Sequence, residues 1–148
     1  MRIGEWALAK FPRTSIKQSL AEVSTYSKQQ LEVATREVLG DPRRLQVMQD
    51  LVRSSIPWED RRDGFAADME TISSLEENPL PLESVKCPTL IVHGSADDDV
   101  PYRVGVEAQK RIPGSRLHTM EGAHHILWLD DSIDDVNRMQ TKLVRDHA

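Results

Sequence analysis

An α/β fold whose first half is wholly helical is predicted for this chain of 148 residues, on three observations. Apolar residues recur at helical spacing from Ile16 to Ile72, a short run rich in β-branched residues follows at 88–93, and a second, more alternating run lies at 116–120. One helix-length stretch separates the two runs, so strand, helix and strand imply a parallel pair joined by a right-handed crossover.

The helical half reads in order. From Ser15 onward, Ile16, Leu20, Val23, Leu31, Ala34 and Val38 fall at spacings of three, four or their sums, which lays one apolar stripe along a helix. Ser15 with Gln18 three residues on has the form of a capping box, and Leu39-Gly40 supplies a stop. Asp41-Pro42 then offers an N-cap and a proline in the first turn, opening a second helix to about Ser54 with Leu45, Met48, Leu51 and Val52 on one face. Ile56-Pro57 closes it, because the residue before a proline avoids helical angles. A third helix over 59–76 carries Phe65, Met69 and Ile72, is interrupted by Gly64, and gives way at Asn78, Pro79, Leu80 and Pro81. Trp6, Trp58, Met48 and Met69 are candidates for a pocket wall, although apolar residues at this spacing are more often plain core.

After Pro81 the pattern changes. Pro88, Thr89, Leu90, Ile91, Val92 and His93 form a run bounded by proline and Gly94, which reads as a strand buried on both faces. Val104, Ala108, Arg111 and Ile112 give a helix after Pro101, Pro113-Gly114 ends it, and Arg116 to Met120 is the second strand. Gly122 breaks that strand, and Ser132 caps a last helix with Ile133, Val136, Met139 and Leu143 on its apolar face.

Composition narrows the function classes. A net charge of −5 and a pI near 5.5 leave no basic footprint, so no nucleic acid and no anionic membrane surface is expected as partner, and a small-molecule substrate is. Cys87 is a lone cysteine and cannot form an internal disulfide, which fits a reducing cytoplasm. Residues 1–10 have an apolar stretch broken by Glu5 and Lys10, too short for a signal-peptide core or a membrane span. No cofactor motif is found.

In an open parallel sheet, ligands gather beyond the carboxyl ends of the strands, which selects the loops after His93 and Met120. The first runs His93, Gly94, Ser95, Ala96, Asp97, Asp98, Asp99, Val100, Pro101; the second runs Glu121, Gly122, Ala123, His124, His125. Loops on one edge of neighbouring strands lie close, so a carboxylate of one can meet an imidazole of the other, the acid–base half of a catalytic triad. Three aspartates near two histidines also suggest a metal, but consecutive aspartates point in different directions and no metal-binding motif is present, so no metal is expected.

The order 88–94, Asp97, Val100-Pro101, Gly122-Ala123-His124 resembles the C-terminal end of the α/β-hydrolase superfamily over roughly residues 80–148. The resemblance implies that Asp97 is the catalytic acid and His124 the catalytic base, with His125 as its competitor. It divides the chain into a helical cap-like or lid-like segment, 1–80, and the C-terminal strand-helix-strand-helix part of the hydrolase core, 81–148. Turn chemistry explains Asp97 otherwise, and a satisfied surface histidine explains His124 otherwise. Asp98 and Asp99 read as solvated turn residues, and His93 as structural.

The family's nucleophile elbow, Gly-x-Ser-x-Gly, is absent from these 148 residues, and Ser95 precedes Asp97 too closely to serve. The sheet is likewise incomplete, since two parallel strands are marginal and leave main-chain edges open. Either a missing N-terminal part of the hydrolase core or a homo-oligomer is expected to supply what is absent. The resemblance implies hydrolysis of an ester- or amide-type small molecule by a Ser-His-Asp mechanism of which this chain holds the acid and the histidine. The alternative is a non-catalytic remnant that folds through oligomerisation or partner binding.

Overall fold

Seven helices and two strands are found among residues 3–54, 58–75 and 77–147, which the computed structural model describes. The order is α1 (Ile3–Lys10), α2 (Pro12–Glu22), α3 (Lys28–Gly40), α4 (Pro42–Ser54), α5 (Trp58–Ser74), β1 (Leu90–Gly94), α6 (Tyr102–Arg111), β2 (Arg116–Met120) and α7 (Ile133–His147).

The single helix expected from Ser15 to Gly40 is two helices, α2 and α3. Ser15 lies inside α2, which starts at Pro12, and the real capping box stands at the head of α3. There Ser27 Oγ accepts from the Gln30 amide at 3.3 Å while the Gln30 side chain accepts from the Ser27 amide at 2.9 Å. The apolar stripe runs through both helices, so periodicity alone hides the break at Val23–Tyr26. α1 was not anticipated, while α4 spans the range the sequence predicts. Ile56-Pro57 lies outside the described residues.

α1 to α4 pack on one another around Leu8, Ile16, Leu20, Leu31, Val38 and Met48, and two residues from far along the chain, Ile126 and Leu129, complete this core. Met48 is therefore core rather than pocket wall, and Trp6 and Met69 lie substantially exposed. The stripe on α5 also departs from expectation: residues 61–74 are all exposed, with Phe65, Met69 and Ile72 among them.

β1 and β2 pair in parallel, in register from Leu90 opposite Arg116 to Gly94 opposite Met120, and they form a two-stranded sheet. α6 packs against both strands, and Met120, Ala123 and Val136 make a second small core with Val92, Leu127 and Ile133. Residues 90–93 are half-buried rather than sealed on both faces, because no further strand flanks them among the described residues. Arg111 staples the linker to α6: its Nε donates to Glu83 at 2.7 Å and its Nη2 to the Leu80 carbonyl at 2.8 Å. The guanidinium holds the Glu83 carboxyl down to about 2, so this pair survives across the physiological range. No described helix is long and apolar enough to cross a membrane.

Candidate functional site

The loops that leave β1 and β2 are bound to each other before any side chain of chemical interest is placed. Ser95 donates its amide to the Met120 carbonyl at 3.1 Å, and Ala96 donates to the Ala123 carbonyl at 2.9 Å. Ser95 Oγ accepts from the Gly122 amide at 2.8 Å and donates to Glu121 at 3.1 Å. This approach needs Gly94, since a Cβ there would stand 2.3 Å from the Ala123 carbonyl oxygen. Gly122 turns the second loop with φ at +74°, a conformation that L side chains avoid.

A third segment braces both loops. The break between α2 and α3 brings Ser24 into an antiparallel bridge with Asp97, and Thr25 donates its amide to Ala96 at 3.0 Å. Val23 accepts from the His125 amide at 3.2 Å, and the Tyr26 hydroxyl donates to the Gly122 carbonyl at 2.7 Å. Burial, with Asp130 and Glu37 nearby, raises the Tyr26 phenol above its ordinary range, so it stays protonated as that donor.

Asp97 is 7% exposed, and its two oxygens have separate duties. Oδ1 accepts from the amides of Asp99 at 3.0 Å and Val100 at 2.9 Å, which fixes the carboxylate plane within its own turn. Oδ2 faces His125 Nδ1 at 3.0 Å. A carboxylate only accepts, so Nδ1 carries the proton and the neutral imidazole presents Nε2 as a lone pair. His125 is part-exposed, and Asp99 Oδ2 lies 3.4 Å from that Nε2, close enough to pair with the ring when it is charged. His93 donates from Nε2 to the Val100 carbonyl at 2.8 Å and stands 3.5 Å from Asp97 Oδ2, bracing the acid's turn from below.

No family model matches the sequence, and no curated protein does. A solved structure does match: an α/β hydrolase fold protein from Nakamurella multipartita, at a TM-score of 0.86 and 25% identity, over 99% of this chain and 50% of that one. The chain is an α/β-hydrolase relative. It spans about half the length of the structure it matches.

In this α/β-hydrolase relative the Asp97–His124 contact that the resemblance implies is not the one formed. Asp97 meets His125, not His124. His124 is buried, and its Nδ1 accepts from the Ile126 amide at 3.0 Å, so it holds the loop's own backbone. Its ring stands edge-on to Tyr26 with centroids 5.6 Å apart. Burial pushes its pKa below the ordinary histidine value against the opposing pull of Asp130 and Asp97, and neighbouring His125 adds to the lowering. It borders a small cleft of about 80 Å³ with Tyr26, Glu37, Arg44 and Asp130. Asp99 is exposed as expected but turns its carboxylate toward His125, while Asp98 takes no part. Among the described residues no group of His, Cys, Asp and Glu is arranged to hold a metal. The bracing residues Ser24 and Tyr26 escaped the sequence reading. The available signal was the cluster of small hydroxyl residues Ser24, Thr25 and Ser27 around Tyr26, inside an otherwise helical stripe.

Proposed function

We propose that the chain supplies the acid and the base of a nucleophile–histidine–acid triad, acting on an ester- or amide-type small molecule. The observation that carries this reading is the 3.0 Å contact of His125 Nδ1 with the buried Asp97 carboxylate, whose other oxygen is already saturated by two amides. That division of labour leaves the acid one free acceptor and fixes the imidazole tautomer, which is what a general base requires. His125 Nε2 then takes the proton of a hydroxyl nucleophile as it attacks the carbonyl, and returns it to the leaving group. Asp97 stabilises the intervening imidazolium. The hydroxyl takes the position at Nε2 that Asp99 now borders. The nucleophile comes from outside these 148 residues: no nucleophile elbow occurs in them, and Ser95 spends its hydroxyl on Glu121 and the Gly122 amide.

The test joins the chain to the nucleophile-bearing half of an α/β hydrolase and follows turnover of a short-chain aryl ester. Asp97→Asn should cost roughly 10³–10⁴-fold in kcat, because an amide in that place favours the wrong tautomer. His125→Ala should cost a similar factor, and His124→Asn far less. Loss with the His124 variant but not with His125→Ala would reverse the assignment.

A further inference from the structure

One four-residue segment contacts both partners of the Asp97–His125 pair at the level of the backbone. Toward the acid, Ser24 bridges Asp97 and Thr25 donates to Ala96. Toward the base, Val23 accepts from the His125 amide and Tyr26 donates to Gly122, three residues before that histidine. The segment is anchored at both ends. Ser24, itself buried, donates its hydroxyl to Leu20 at the end of α2 at 2.6 Å, and the Ser27 capping box begins α3. The helical half is therefore coupled to the spacing of the acid and the histidine, which sit on a different half of the chain.

We infer that Tyr26 is a positioning residue for His125: its hydroxyl fixes the Gly122 carbonyl and so the loop that aims the imidazole at Asp97. This rests on the acid–base reading above. Tyr26 is suited to the task by three features. Its hydroxyl bond at 2.7 Å has the ordinary length of a well-made O–H···O bond, and its acceptor belongs to a glycine at φ +74°, where the loop has the most freedom to lose. Its ring also packs edge-on against His124, the residue between that glycine and His125 that holds Ile126. A hydrogen bond and a ring contact thus bear on the two sides of Ala123. The bond from the His125 amide to the Val23 carbonyl ties the histidine's own main chain to the same segment.

The measurement is the ¹⁵N resonances of the His125 ring in the 148-residue chain at pH 8, where a free histidine is neutral. In the wild type, Nδ1 should read as protonated and Nε2 as bare, with the two resonances far apart. Asp97→Asn should collapse that separation, which checks the acid–base pair itself. Tyr26→Phe removes one oxygen and keeps the ring, and it should reduce the separation by about half or more as the tautomers exchange. The urea midpoint is recorded alongside. An unchanged separation in Tyr26→Phe, with Asp97→Asn collapsing it, would overturn the positioning role while leaving the pair intact. A lowered midpoint with the separation retained would assign Tyr26 to stability and overturn the role equally. No effect of Asp97→Asn would remove the pair and this inference with it.

Discussion

Two adjacent histidines of one type are used in opposite ways, and the difference is set by direction and solvent. His124 points inward, accepts from a backbone amide and is kept neutral by burial; His125 points to the carboxylate and remains open to water. The Gly-Ala-His-His string does not encode this, because the direction of each ring depends on the turn at Gly122 and on Val23, a hundred residues away. The turn that holds Asp97 was legible for the opposite reason: it is local, with the Val100 amide three residues on bonded to the carboxylate. A pH prediction belongs to His124. Its folded pKa lies below the unfolded value of about 6.5, so the unfolded state binds the proton first and stability rises with pH. That contribution is complete above about 6.5 and is lost as the pH falls through the folded pKa. The urea midpoint should therefore drop more steeply between pH 8 and pH 5.5 in the wild type than in His124→Asn, whose amide oxygen can still accept from Ile126. Equal slopes would mean that the ring titrates as freely folded as unfolded.

At the scale of elements, most of what periodicity can see was legible: α4, α6, α7 and both strands stand where the sequence puts them. What it cannot see is a break that leaves the apolar stripe in phase, and the α2–α3 boundary is such a break. Tertiary bonding to the site loops, added to the local capping box at Ser27, keeps Val23–Tyr26 out of a helix. The glycines separate the same two influences. Gly94 is required by a tertiary approach, and Gly94→Ala forces its methyl into a carbonyl oxygen, at a cost of about 1–3 kcal/mol or more. Gly64 lies in exposed α5 with nothing within 4 Å of an added Cβ. Gly64→Ala should therefore slow amide exchange across α5, by a local gain of about 0.5–1 kcal/mol. Urea melts for the first and hydrogen exchange for the second are the checks, and similar effects at both sites would mean that the loop approach at Gly94 is not a real constraint.

At the scale of the whole chain, the fold was readable from two strands, the helix between them and the loops beyond them. Parallel strands joined by a helix, and an acid and a histidine on the loops beyond them, are present in a chain that matches half the length of an α/β hydrolase fold protein. Beside them, β1 is only half-buried, α5 presents Met69 and Ile72 to solvent, and no Gly-x-Ser-x-Gly elbow occurs in these 148 residues. Apolar side chains and open strand edges in water favour association, because each contact removes apolar surface at about 25 cal/mol per Å². The purified chain should therefore weigh more than its 16.8 kDa by light scattering, with a mass that rises with concentration. Met69→Lys with Ile72→Lys should lower that mass, since a charge on the α5 face is costly to bury. The same sample should leave a short-chain aryl ester unhydrolysed, because a base and an acid without a nucleophile form no acyl-enzyme. Turnover that vanished in His125→Ala would reveal a nucleophile among these 148 residues. A monomer at every concentration would show that the exposed α5 face and the open sheet edges are tolerated in water.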